Sequence, residues 1–281
     1  MAESLTRIIL DTDLAMGEPG SPVDDGFALA LAVADAGIRL ELVTTVDGNS
    51  NVRRVTELTT NLLGVLRQTD VPVVPGADEQ VNPAAAEIVA RVMSEPGELT
   101  IVAIGPLTNI AHALQVEPQV ATSVHEIVVM GGVFLDPARS AEYNFKCDPD
   151  AAQVVLDSGA PLRLVGLDVT EQVHLTRADA DRLAEHGRFG RFAADHTVGW
   201  IAERDSCALH DPLAVAVVTR PGLVAWQDAY VAVETGPVNR GAAHANLLTQ
   251  ENPLEANCQI ATAVNADAFR ELFLERMAAL R

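Results

Sequence analysis

Short apolar runs alternate with stretches of helical spacing from the start of the chain to Val165. The runs are Leu5–Leu10, Leu40–Val46, Val71–Val74, Leu99–Ile104, Glu126–Met130 and Leu162–Val165. Several stop on turn-forming or acidic residues: Asp11-Thr12-Asp13, Asp47-Gly48-Asn49, Pro75-Gly76, Gly105-Pro106 and Gly131-Gly132. A short apolar run bounded by such residues reads as a buried strand. Asp25–Asp35, Val52–Gln68, Leu107–Leu114 and Asp148–Ser158 read as the helices between them. This alternation predicts an α/β fold, an open, mostly parallel sheet with helices on both faces. Ligands of such sheets bind beyond the carboxyl ends of the strands. Asp11, Asp13, Asn49, Ile104-Gly105 and Gly131-Gly132 should therefore gather at one edge.

Farther on, Arg177–Glu185, Phe189–Arg204 and Asp211–Thr219 read as helices, Ala229–Glu234 and Gln259–Val264 as strands, and Ala266–Leu280 as a last helix. With 281 residues, 48% of them apolar, and no repeat or linker, a single domain over residues 1–281 is expected.

Asp11, Asp13, Asp24 and Asp25 lie within fifteen residues, with no Lys, Arg or His between them. The first pair closes a strand and the second opens a helix, so the four should meet. Two carboxylates about 4 Å apart repel by roughly 4 kcal/mol at an effective dielectric near 20. The cluster calls either for a hard, oxygen-binding cation or for some acids to stay protonated. Capping by Asp24 with a dipole contribution from Asp25 accounts for two of the acids but not four. Asp211 stands before Pro212 at a helix start, a capping position, and also where it could complete a metal site, with His210 beside it. Glu142 and Asn144 are two apart; in an extended segment both side chains point to one side, a pairing suited to vicinal hydroxyls.

The net charge of -20 argues against nucleic acid or an anionic membrane as partner. Cys147, Cys207 and Cys258 have neither a disulfide pattern nor metal-ligand spacing, and read as buried free thiols in a reducing cytosol. No apolar stretch reaches the roughly 20 residues that span a bilayer. A cytoplasmic location is expected.

Several motifs, in order, resemble the nucleoside hydrolase family of the inosine–uridine-preferring type. They are Asp11-Thr12-Asp13 with Asp24-Asp25-Gly26, Thr44-Thr45-Val46-Asp47-Gly48-Asn49, Ile104-Gly105-Pro106-Leu107-Thr108-Asn109-Ile110-Ala111, Val129-Met130-Gly131-Gly132, Ala141-Glu142-Tyr143-Asn144 with Asp148-Pro149, and His210-Asp211-Pro212-Leu213-Ala214. The resemblance implies calcium-dependent hydrolysis of the N-glycosidic bond of ribonucleosides, giving ribose and free base through an oxocarbenium-like transition state. It implies calcium held by the side chains of Asp13, Asp25 and Asp211 and the backbone carbonyl of Ile104, with Asp11 buttressing the metal loop. Asp13 would act as base toward a metal-bound water. Asp24, Asn49, Met130, Glu142 and Asn144 would hold the ribose, with Asp136 where the family usually has an Asn. His210 would sit near the leaving base. A homodimer or homotetramer is also implied.

Two stretches depart from the family pattern. About seven extra residues, Leu14 to Gly20, separate the two acid pairs. Rich in Gly and Pro, they are expected to loop out without moving the carboxylates, with Glu18 within reach of the site. The stretch after Gly76-Ala77-Asp78 lacks the family's usual histidine and glycines, which leaves the preferred base unread. Two alternatives stand beside this reading. One is a non-catalytic nucleoside- or sugar-binding protein on the same scaffold. The other is a haloacid-dehalogenase-like phosphatase, whose chemistry needs a lysine; the chain has only Lys146.

Overall fold

The computed structural model describes residues 5–77, 81–136, 139–204, 206–247 and 255–280. The chain runs β1 (Thr6–Thr12), α1 (Asp24–Ala34), β2 (Ile38–Thr45), α2 (Val52–Val65), β3 (Val73–Pro75), α3 (Pro83–Ser94), β4 (Leu99–Ala103), α4 (Thr108–Val116), α5 (Val120–Ser123) and β5 (Glu126–Met130). It continues with α6 (Tyr143–Cys147), α7 (Pro149–Leu156), β6 (Leu162–Val165), α8 (Leu167–Thr170), β7 (His174–Thr176), α9 (Arg177–Ala184), α10 (Gly187–Arg204), β8 (Ser206–Ala208), α11 (His210–Thr219), β9 (Val224–Val233), β10 (Ala243–Leu247), β11 (Cys258–Val264) and α12 (Ala266–Ala279).

Among the described residues, nine strands form one sheet in the order β10-β9-β11-β6-β5-β4-β1-β2-β3. Every pairing from β11 to β3 is parallel, and β9 runs antiparallel to both of its neighbours. The expected mostly parallel sheet is what forms. From β1 the chain first builds outward through β2 and β3. It then crosses to β4 and builds the other way through β5 and β6. The crevice beyond the ends of β1 and β4 is thus the point where the order reverses, the place where such sheets bind ligands.

Strand pleating distributes the side chains between two cores. Ile8, Leu10, Val102 and Val128 pack on one face with Phe27, Phe189 and Phe273. Ile9, Ile101, Ile127 and Val129 pack on the other with Ile88, Ile110 and Val155. The same period of two carries through the end of β1. Thr12 points to the α1 face, where its hydroxyl donates to Asp25 Oδ1 at 2.5 Å. Asp11 points to the α4 face, where Oδ1 accepts from Asn109 Nδ2 at 2.8 Å. Strand register therefore sorts the residues of the acidic motif to different partners.

Several sequence expectations change. The segment Leu14 to Gly20 does not simply loop out: Leu14, Ala15 and Met16 are buried in the core, and only Pro19 and Gly20 are exposed. Three apolar side chains in a row gain more from burial than a solvated loop would. Helix α3 lies where no element was expected. Its signal was present in the sequence, since Asn82 accepts from the Ala85 N–H at 2.9 Å just before Pro83 opens the first turn. Strand β9 begins five residues before the expected Ala229, and β7, β8 and β10 were too short or too polar to stand out. Cys207 and Cys258 are buried, but Cys147 is exposed at the end of the five-residue helix α6, contrary to the expected buried thiol. Among the described residues, no helix is long and apolar enough to cross a membrane.

Candidate active site

A cavity of about 370 Å³ opens at the crevice between β1 and β4. Asp24 and Asp25 reach it from the first turn of α1, and Asp211 from the first turn of α11. Neither helix uses these acids as caps: the capping positions are Val23 and Leu209, without a side-chain hydrogen bond. Because α1 and α11 pack together, one oxygen from each of Asp24, Asp25 and Asp211 falls within 4.8 Å of the others. Among the described residues, no lysine or arginine lines this cavity.

Asp13 lies against the same cluster from the end of β1. Its Oδ2 accepts the Asn49 backbone N–H at 2.7 Å, while Oδ1 is buried without a hydrogen-bond partner. The set of three close oxygens contains Asp24 and not Asp13, so it differs by one member from the Asp13, Asp25, Asp211 set implied by the sequence. Asp25 accepts from Thr12 and, at 3.1 Å, from Asn49 Nδ2. Asp11 sits beneath, fully buried, with Oδ1 bound by Thr44 and Asn109 and Oδ2 without a partner.

Burial is the main cause of high proton affinity here. It lifts Asp11 up to about 7 against the opposing hydrogen bonds of Asn109 and Thr44. Burial and then the charge of Asp24 carry Asp25 to about 7, and burial carries Asp24 to about 6. Asp13 and Asp211 are pushed well above the usual carboxylate range by burial and by the neighbouring carboxylates.

Two glycines make room for the Asp13 carboxylate. A Cβ on Gly48 would clash with Asp13 Oδ2, and one on Gly105 would stand 3.0 Å from Oδ1. Gly48→Ala should therefore displace Asp13 and lower kcat/KM at least ~30-fold, about 2 kcal/mol, with little change in thermal stability. Unchanged kcat/KM would show that Asp13 can move without loss.

The far wall is built around α6. Glu142 is extended and caps this helix: its carboxylate accepts the backbone N–H groups of Asn144 at 2.8 Å, Phe145 at 3.0 Å and Gly132 at 3.0 Å. Asn144 lies in the first turn, so the two side chains converge through a capped helix start and not through the extended pairing expected from their spacing. Asn144 Nδ2 donates to the carbonyls of Ile104 at 3.0 Å and Met130 at 3.1 Å. This ties the ends of β4 and β5 together and leaves the Asn144 Oδ1 for the cavity. Asn49, Ile104, Met130 and His210 also line it.

Asp136 does not join this group. It is exposed and lines a separate cavity with Arg139, Lys146 and Arg240. The segment 133–136 leads away from the site after Asp168 accepts the Phe134 and Leu135 N–H groups at 2.7 and 2.9 Å. Glu18 lines a neighbouring cavity with Ser21, Asp195 and His196, which shares only Trp200 with the carboxylate cavity. Asp78 and the two residues after it lie outside the described residues.

Sequence reasoning passed over Pro22, in the loop before α1, and Leu167 of α8, did not place Trp200 of α10 among the site residues although all three line the cavity, and passed over Tyr143, whose hydroxyl donates to the Gly48 carbonyl at 2.9 Å. Asn109 was also passed over as a buttress. It donates to both Asp11 and the Thr45 carbonyl and accepts from Asn82 Nδ2 at 3.0 Å. Tyr143 and Asn109 stand inside recognisable motifs; the other three carry no local signal.

A fold with this reversal point, lined by carboxylates and amides, is that of the nucleoside hydrolases. The family profile described as inosine-uridine preferring nucleoside hydrolase matches residues 8–271, and the chain belongs to that family and is a hydrolase. Among curated relatives, the non-specific ribonucleoside hydrolase RihC of Salmonella paratyphi B is 34% identical over 309 aligned positions, covering 96% of each chain. Among solved structures, a plant nucleoside hydrolase superposes with a TM-score of 0.87 at 25% identity, over 98% of this chain and 99% of the other. The purine-preferring ribonucleoside hydrolase of Gardnerella vaginalis gives 0.86 at 26%, over 98% of both.

The donor set fits a hard divalent cation. Its three close oxygens all come from carboxylates, Asp24, Asp25 and Asp211, with no thiolate among them, and the orphaned Asp13 Oδ1 is buried against the same charges.

Proposed function

We propose that the protein hydrolyses the N-glycosidic bond of ribonucleosides in a calcium-dependent reaction, releasing ribose and the free base. The observation that carries this reading is the juxtaposition of an all-oxygen carboxylate cluster and the Glu142–Asn144 wall in one cavity at the β1/β4 reversal point. Asp25, Asp211 and Asp13, with the Ile104 carbonyl, would hold the ion, and Asp24 would stand beside it on the side of the sugar. Calcium accepts six to eight oxygens in a flexible shell, enough to fix two sugar hydroxyls and one water.

The chain's own groups do the rest. The Asp13 carboxylate takes the proton of the attacking water. Asp24 and Asn49 accept from and donate to the ribose hydroxyls, and Glu142, Asn144 and the Met130 carbonyl region hold the other side of the sugar. Asp136 is left out of this set because it faces another cavity. As the glycosidic bond lengthens, positive charge grows on the sugar and is stabilised by the surrounding carboxylates, none of which is offset by a lysine or arginine lining the cavity among the described residues. His210 stands at the departing base. It is held neutral by burial, against the opposing influence of Glu142. The phosphatase alternative lacks its essential group here, since Lys146 lines the other cavity.

The test is ribose release from inosine, adenosine, guanosine, uridine and cytidine, before and after chelation and re-addition of calcium. Turnover that stops with chelator and returns with calcium is the expected result, with a melting temperature that follows calcium in parallel. Nucleoside binding without ribose release would instead make the protein a non-catalytic binder on this scaffold.

A further inference from the structure

His210 has two ring nitrogens, and its environment decides which one carries the proton. Nδ1 lies 2.8 Å from the hydroxyl of Thr170, the last residue of α8. Thr170 is fully buried, and among the hydrogen bonds of the described residues this is the only one its hydroxyl makes. The hydroxyl is not turned back onto its own helix. Thr197, by contrast, donates to the carbonyl four residues earlier at 2.6 Å.

The bond can be drawn in two directions. If Nδ1 carried a proton and donated it to Thr170, the buried hydroxyl hydrogen would have no acceptor. Such an orphan costs about 1–3 kcal/mol. A doubly protonated ring would leave the same orphan. If instead the hydroxyl donates to an unprotonated Nδ1, both groups are satisfied, and the single ring proton resides on Nε2.

We propose that Thr170 is a positioning residue that fixes His210 as the neutral tautomer with the proton on Nε2, presenting that N–H to the leaving base. This rests on the assignment of His210 to the base side of the reaction. A neutral Nε2–H is a hydrogen-bond donor, so it stabilises an acceptor atom that gains negative charge as the bond to the sugar breaks. No bond to the imidazole forms or breaks in this role. The ring shares its proton with the base's acceptor, and the departing base takes its proton from water. The contribution of Thr170 should scale with how much help the leaving group needs.

The experiment uses the calcium-loaded enzyme in three forms: wild type, Thr170→Val and Thr170→Ser. Val keeps the shape and removes the donor, while Ser restores it. The first readout is the nitrogen-15 NMR signature of His210, assigned with His210→Asn. The proposal expects the Nε2–H tautomer in wild type and Thr170→Ser, and its loss in Thr170→Val. The second readout compares inosine with p-nitrophenyl β-ribofuranoside, whose leaving group departs unaided. Thr170→Val should lower kcat on inosine ~10- to 100-fold, leave kcat on the nitrophenyl riboside within about threefold, and change KM little; Thr170→Ser should recover most of the loss. An Nδ1–H tautomer in wild type, or equal losses on both substrates at unchanged melting temperature, overturns the proposal. Failure of every form to cleave any riboside would count against the hydrolase reading, and the NMR signature would still decide the tautomer.

Discussion

Asp25→Ala should abolish calcium binding and nucleoside cleavage together, with kcat/KM falling at least ~1,000-fold, about 4 kcal/mol of transition-state stabilisation. The Asp25 carboxylate is buried at the centre of the site, held by Thr12 and Asn49 and within 4.8 Å of Asp24 and Asp211. An alanine there removes a ligand and unfastens the Asn49 side chain. The stability of the metal-free protein should move the other way. Burial raises Asp25 to about 7 and Asp24 to about 6. Without an ion, the folded state therefore holds more protons than the unfolded chain between roughly pH 4 and 7. Stability from these groups is present below the unfolded carboxylate range and is lost as pH rises toward 7. Removing one carboxylate relieves that loss, so chelated Asp25→Ala should melt no lower than chelated wild type at pH 7.5. Calcium at 100 times its dissociation constant should add about 2.7 kcal/mol to wild type and nothing to the variant. Calorimetric titration and melting with and without chelator check both; calcium still bound by the variant would remove Asp25 from the coordination shell.

Asp24→Ala should separate the ion from the sugar. Asp24 stands at the first position of α1, partly open to the cavity, with Asp25 and Asp211 close beside it. If it serves the ribose hydroxyls, the variant keeps calcium with an affinity lowered less than about tenfold, while kcat/KM falls ~100- to 1,000-fold. Its proximity to the other two carboxylates gives the opposite outcome a clear meaning: loss of calcium equal to that of Asp25→Ala would place Asp24 in the ion's shell. Isothermal titration with calcium, followed by kinetics at saturating calcium, separates the two.

Much of this architecture is local in origin and therefore legible in the sequence. Strand β1 could be read because a run of β-branched and leucine side chains closes on two aspartates, and α11 because His210-Asp211-Pro212 sets a helix start. The parallel sheet follows from strands alternating with helices, each short strand needing a crossover to reach its neighbour. Residues that meet through backbone periodicity, such as Thr12 and Asp11 on opposite faces of β1, obey a rule of two that any strand imposes. Their polar partners Asp25 and Asn109 lie 13 and 98 residues away, and only the packed sheet brings them there.

The sequence by itself determined the fold class, the acidic cluster and the family motifs, because propensity, capping and alternation act over a few residues. The tertiary structure alone decided the rest. It grouped Asp24 with Asp25 and Asp211, turned Asp136 to another cavity, drew Leu14–Met16 into the core, brought Trp200 and Leu167 to the site and set Thr170 against His210. Each of those outcomes depends on helices packing across a sheet, where the burial of apolar surface and the pairing of buried polar groups are settled between segments far apart in the chain.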